Sequence, residues 1–245
     1  MTRILRTALH CVAACLFAVP VWAGDFTPAQ RAEIVQIVRD ALKQDPSILR
    51  DAVTALQAED GDRQQASSRA AIAAAKDTLV DPADPTGGNP KGDVTIVEFF
   101  DTRCPYCRKL EPAMADLLAR DHGVRLVYKD LPILGPPSVL GSKALLAAQR
   151  QNGYEKLRTA IMDDPPQTTK PMIQEAAVRL GLDWKRLERD MDSPAIQARI
   201  DANLKLAQSL GIAGTPALVV GSELIPGAVD LPELQKMVAA ARGAK

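Results

Sequence analysis

Two thiols stand two residues apart in the run FFDTRCPYCRKL: Cys104 and Cys107, with Pro105 and Tyr106 between them. A pair at this spacing can clip a metal, staple a turn or exchange disulfides. Disulfide exchange needs a thiolate, so the pair has to sit where a thiol pKa falls. A staple across two residues closes so small a loop that it removes little entropy from the unfolded chain. A structural zinc site needs four ligands, whereas Cu(I) accepts two thiolates. What surrounds the pair discriminates among these chemistries.

VTIVEFF at 94–100, with its β-branched and aromatic residues, reads as a strand. CRKLEPAMADLLAR follows with helical spacing through Leu110, Met114, Leu117 and Leu118. Cys104 therefore falls at a helix N-terminus, with Cys107 one turn inside. Pro105 suits the first helical position, where its missing N–H is not needed. The unpaired N–H groups and the helix dipole stabilise negative charge on Cys104. Cys107, shielded by the helix, is placed to act as the resolving thiol, and the spacing lets the pair close a disulfide within one turn.

The first 23 residues carry Arg3 and Arg6, an apolar stretch, and VWA before Gly24, the pattern of a cleaved secretory signal. Its removal takes Cys11, Cys15 and His10 away and shifts the formal charge from zero to −2, because two arginines leave and no acidic residue does. Cys104 and Cys107 are then the last cysteines, with His122 the last histidine. That is too few ligands for zinc, so no metal site is expected, although copper on the two thiolates stays open. His122 reads as a turn residue near the end of the 104–121 helix. One cysteine pair in a secreted chain points to an oxidising compartment, the bacterial periplasm. Hydrophobic residues at 47% of the 245 predict a packed core, and aromatics at 4% make it aliphatic. No basic block or aromatic-basic interleaving suggests nucleic acid.

Three regions follow the leader. Residues 24–80 read as three short amphipathic helices. Thr27 caps the first, with Pro28 opening it and Ile34, Ile37, Val38, Ala41 and Leu42 on one face. Asp45-Pro46 ends it. A second helix carries Ile48, Leu49, Val53 and Leu56, and Gly61 is expected to separate it from an alanine-rich third. Faces this small must pack on the rest of the chain or on another copy. DPADPTGGNPKGD predicts a linker at 81–92. Residues 93–245 read as β, α, β, a helical block over about 138–210, then β, β, α, an α/β sheet covered on both sides. Trp184 and DWKRLERD read as packing and a solvated face.

VEFFDTRCPYC, followed far downstream by GIAGTPALVVG, resembles the DsbA-type branch of the thioredoxin fold, in particular the group of the suppressor of copper sensitivity protein C and Com1-like proteins. AEIVQIVRDALKQDPSIL resembles the N-terminal region of that copper-sensitivity group. The resemblance implies a thioredoxin fold with a helical insertion and Cys104–Cys107 as the redox disulfide. It implies Thr215-Pro216 as the cis-proline loop that faces the cysteines and pairs with substrate backbone. Glu98, six residues before Cys104, matches an acidic residue that can take a proton from Cys107. Tyr106 departs from the DsbA pattern, which carries histidine there. A neutral ring adds no positive charge beside the Cys104 thiolate, so a milder oxidant is expected. The implied activity is thiol–disulfide oxidation or isomerisation of cysteine-containing proteins, without an organic cofactor. A membrane redox partner would recharge the pair, and residues 25–80 would support a homo-oligomer. The alternative is a copper-binding or copper-tolerance protein using the same two thiolates.

Overall fold

The computed structural model describes residues 26–163 and 168–244. The expected secretory signal at 1–23 lies outside the described residues. Chain contacts divide the protein into two compact units, with the division between Ala58 and Glu59.

The first unit holds α1 (Pro28–Gln44) and the beginning of α2 (Ser47–Ala74). Thr27 and Gln30 form a reciprocal capping box at the start of α1, and Pro28 stands in its first turn. No residue of α1 is buried. Ile37, Leu49 and Leu56 are 60%, 58% and 59% exposed, large apolar side chains that a self-sufficient unit would cover.

Two expectations on the boundary are corrected. Gly61 does not break the helix: α2 runs through it for 28 residues. A glycine in a helix interior costs about 1 kcal/mol relative to alanine but still supplies its N–H and C=O, so the ladder continues. The helical break falls at Ala75, before the short α3 (Lys76–Leu79). Residues 81–92 are not a plain linker either. They contain β1 (Thr86–Gly88), antiparallel to β3 (Val124–Asp130). The glycines permit close approach here rather than looseness: a Cβ on Gly87 would stand 2.5 Å from a carboxylate oxygen of Glu155, and Gly88 has φ +64°. Asp84, in the same stretch, is buried against Lys129 Nζ at 2.6 Å and Arg199 Nη2 at 2.5 Å.

The second unit is a five-stranded sheet in the order β1-β3-β2-β4-β5, with β2 (Val94–Phe100), β4 (Ala217–Val220) and β5 (Glu223–Pro226). β2 and β3 are parallel, joined by α4 (Pro105–Arg120); β4 and β5 are antiparallel additions. The helical block is α5 (Pro136–Gln149), α6 (Tyr154–Asp163), α7 (Lys170–Arg179), α8 (Trp184–Met191) and α9 (Pro194–Ser209); α10 (Leu231–Gly243) closes the chain. Side chains of alternate strand residues face opposite sides. Ile96, Phe100, Leu126 and Leu218 pack with Leu110, Leu117, Leu157 and Leu234 from α4, α6 and α10. Val97, Phe99, Val127 and Val219 pack with Ile72, Leu79, Leu206 and Leu210 from the end of α2, α3 and around the end of α9. Burying each such side chain stabilises the fold by roughly 1.5–3 kcal/mol. Trp184 is half-buried against the first of these clusters, and His122 is exposed in the turn between α4 and β3.

Candidate active site

The central strand β2 ends where Asp101 turns the chain towards α4. Cys104 is the N-cap of α4, with extended backbone angles, and Pro105 holds the first helical position. The Cys104 N–H donates to the Asp101 carbonyl at 3.0 Å and the Cys104 carbonyl accepts from Arg108 N–H at 3.2 Å, so Cys104 is locked on both sides. Opposite it, the Thr215-Pro216 peptide is cis, with Pro216 buried at the entrance to β4. As a thiol, Cys104 Sγ donates to the Thr215 carbonyl at 3.1 Å. Phe99 pairs with Ala217 across β2 and β4, which sets the Thr215-Pro216 turn beside the cysteines. Cys107 is fully buried, and both cysteines are free thiols.

Their acidities are driven apart. The Cys104 thiol is brought down to about 5. The hydrogen bond from the Cys107 side chain does most, against the opposing effect of burial; the Thr215 side chain and the backbone N–H groups of Cys107 and Tyr106 add to it. Those two N–H groups are among the unpaired donors of a helix's first turn. Burial pushes the Cys107 thiol far above its ordinary range, and its hydrogen bond to Cys104 and the charge of Glu98 push the same way. At neutral pH one sulfur is a thiolate and the other a thiol.

Glu98 is fully buried rather than a solvated strand residue. Its Oε2 accepts from Arg158 Nη2 at 3.1 Å, and its Oε1 has no hydrogen-bond partner among the described residues. Burial raises its carboxyl to about 7; Arg158 opposes this and the negative Glu111 adds to it. Tyr106 contributes a backbone N–H to Cys104 and turns its side chain out, 62% exposed. The seven residues singled out from the sequence thus converge on one end of the sheet.

Sequence reasoning missed three others. Asp101 is buried, and its Oδ2 accepts the N–H groups of Ile133 and Leu134 at 2.8 and 3.0 Å, which ties down an apolar, exposed loop. Glu111 stands one turn after Cys107 on α4, a spacing that puts the two on one helix face. Arg158 lies on the buried stripe of α6 with Tyr154, Leu157, Ile161 and Met162. A cation inside an apolar stripe was the available signal.

A polarised thiol pair at a helix N-terminus, facing a cis-proline turn on a mixed sheet, defines a thioredoxin-fold thiol protein. The chain belongs to the DsbA-like thioredoxin domain family, whose pattern matches residues 95–239. Residues 30–63 match a second pattern, the copper resistance protein ScsC N-terminal domain. Among solved structures, a thioredoxin-like oxidoreductase from Silicibacter pomeroyi DSS-3 is 44% identical, covering 69% of this chain and 98% of its own with a TM-score of 0.67. ScsC of Proteus mirabilis in a transitional conformation is 29% identical, covering 90% of this chain and 100% of its own with a TM-score of 0.66. The thiol:disulfide interchange protein DsbA of Bordetella parapertussis is 29% identical over 150 residues, 59% of this chain and 71% of that protein. The chain spans only 28% and 26% of the first curated relatives it matches, two Na(+)/H(+) antiporters from Salinispora. Among the described residues no helix is long and apolar enough to cross a membrane.

Proposed function

We propose that the protein is a periplasmic thiol–disulfide oxidoreductase acting on cysteine-containing polypeptides, with isomerisation as its main output. The observation that carries this reading is Cys104 at the N-terminus of α4 facing the cis Thr215-Pro216 turn, with Cys107 buried one turn on; the arrangement drives their acidities apart. The Cys104 thiolate attacks a substrate disulfide; one substrate sulfur leaves as thiolate and a mixed disulfide forms. Glu98 takes the proton of Cys107. The Cys107 thiolate then attacks Cys104 Sγ, the bond to substrate breaks, and the second substrate sulfur leaves. The pair ends oxidised by two electrons and the substrate reduced by two. Isomerisation occurs when a substrate thiol attacks the mixed disulfide before Cys107 does. A membrane redox partner restores the starting state. Once Cys104 is a thiolate it no longer donates to the Thr215 carbonyl, which can then pair with an extended substrate segment. With neutral Tyr106 beside Cys104, the protein is a milder oxidant than DsbA.

The exposed apolar residues of α1 and early α2 support self-association, which would hold several sites around one misfolded client. The leader pattern at 1–23 supports the periplasm. Purified protein should reduce insulin disulfides and refold scrambled ribonuclease, and Cys104→Ser should do neither; absence of exchange in the reduced wild type would overturn the reading. Truncation to residue 80 is a poor test of the oligomer, because it removes Ile72 and Leu79 from the core. Ile37→Ser with Val38→Ser is the better probe. A second reading, Cu(I) held by the two thiolates, draws on the ScsC-type match at 30–63. Copper titration of the reduced protein, with the Cys104→Ser variant as control, tests it.

A further inference from the structure

Arg158 is the least expected charge in the fold. Its side chain is 4% exposed, in the helical insertion rather than in the strands and helix that carry the cysteines. Its guanidinium lies over the rings of Phe100 and Tyr128, at 4.5 and 4.4 Å from their centroids. Nη1 and Nη2 form a fork on the Glu111 carboxylate, both at 2.6 Å, and Nη2 also reaches Glu98 Oε2 at 3.1 Å. One cation thus serves two carboxylates: Glu98 on β2, and Glu111 one turn from Cys107 on α4. A buried charge is kept only with such compensation, and only a planar fork can stack and bridge in this way.

We propose that Arg158 is a positioning residue of the thiol site, holding Glu98 charged and aimed so that it receives the Cys107 proton. This rests on the reading of Cys107 as the resolving thiol. Glu98 faces Arg158 from α6, Glu111 and Cys107 from α4, and Tyr128 from β3; its neighbour on β4, Leu218, does not titrate. Arg158 is also felt by Asp130 and Tyr154, whose hydroxyl donates to Asp130 Oδ2 at 2.8 Å. Arg158 and Glu111 act on Glu98 with opposite consequences. Losing Arg158 leaves Glu98 beside an unopposed Glu111, so it binds its proton more tightly and the acceptor is absent at neutral pH. Losing the Glu111 charge leaves Arg158 to Glu98 alone, so the acceptor persists to lower pH. The insertion thereby sets the pH range over which the pair resolves.

The test is the rate at which a preformed mixed disulfide between Cys104 and glutathione resolves, followed against pH in the full-length protein. Wild type should show a rising limb with a midpoint near the Glu98 value, about 7. Glu98→Gln should lose that limb. Arg158→Met should move the midpoint up by about 1 unit or more and slow neutral-pH resolution about fivefold or more. Glu111→Gln should move it down, and Arg158→Lys should lie between wild type and Arg158→Met. A merely structural Arg158 would lower the rate at all pH values without moving the midpoint, and that result overturns the proposal. So does a shift of the same sign in Arg158→Met and Glu111→Gln. Should Arg158→Met not fold, Glu111→Gln decides: an unchanged or raised midpoint contradicts the proposal. A wild-type mixed disulfide that never resolves would overturn the oxidoreductase reading itself, whereas a normal wild-type profile with unmoved variants removes only Arg158.

Discussion

Residues 26–58 and the thioredoxin unit treat the same amphipathic pattern in opposite ways. In α1 and the start of α2 the apolar positions are exposed, Ile37 at 60% and Leu49 at 58%. In α4 and α6 the same spacing is fully used: Leu110, Leu117 and Leu157 are at 0%. The thioredoxin unit even buries its charges, with Glu98, Asp101 and Asp130 all at 0%. A helix face records that something apolar must cover it, but not where the cover comes from. Inside the second unit the cover is the sheet. The first unit leaves its apolar residues exposed, and the proposed self-association would cover them.

The largest expected effect separates chemistry from association. Cys104→Ser should abolish disulfide exchange and leave the oligomeric state untouched, as sizing chromatography with light scattering would show. Ile37→Ser with Val38→Ser should do the reverse, dissociating the assembly and losing isomerisation while insulin reduction continues. If both variants lost both properties, the two regions would not be separable as described.

Next in size is Glu98→Gln. Removing the proposed proton acceptor should slow resolution by Cys107 about a hundredfold at neutral pH, measured as accumulation of mixed disulfide in rapid quench. An unchanged rate would mean that the buried carboxyl takes no part.

Stability sharpens the same contrast. Leu110→Ala should cost about 2–5 kcal/mol in denaturant unfolding of the thioredoxin unit. Ile37→Ala should stay within about 0.5 kcal/mol there. A large loss from Ile37→Ala in that transition would show α1 to be part of the core after all.

A further contrast is the pH dependence of the reduced protein's stability. The folded Cys104 thiol is depressed to about 5, against about 8.5 for an unfolded cysteine. Its contribution is therefore complete above about pH 8.5, shrinks as pH falls, and is gone below about 5. The raised Glu98 carboxyl works oppositely. Its contribution is complete below about 4.3, the unfolded value, and is lost as pH rises through about 7. The Cys104 part is isolated as the stability difference between reduced wild type and Cys104→Ser. That difference should decline from pH 8.5 to 5; a flat difference would contradict the depressed thiol.

Much of the site was legible because it depends on local order. A β-branched strand running into a helix with proline at its first turn places Cys104 at an N-terminus whatever the rest does. Thr27, Pro28 and Gln30 announce α1 in the same way. What escaped depended on distant partners. Gly87 and Gly88 read as a loose linker, yet they are glycines because Glu155 and Val124 approach them. Gly61 reads as a break, yet nothing crowds it and the helical hydrogen bonds continue. Arg158 is an ordinary helical arginine until the fold sets Glu98, Glu111 and two aromatic rings around it. Asp101 shows only its local half in the sequence, a turn in which Oδ1 accepts the Arg103 N–H; its Oδ2 binds the backbone of residues 32 and 33 positions downstream.

The division of two like thiols into a thiolate and a proton-holding partner is the root of the proposed chemistry. Its most direct test is the titration of thiolate ultraviolet absorbance in the reduced wild type, alongside Cys107→Ser and Cys104→Ser. The predicted result is one thiolate appearing with a midpoint of about 5, lost in Cys104→Ser, and no second thiolate through neutral pH. Two thiols titrating together near the ordinary cysteine value of about 8.5 would contradict it.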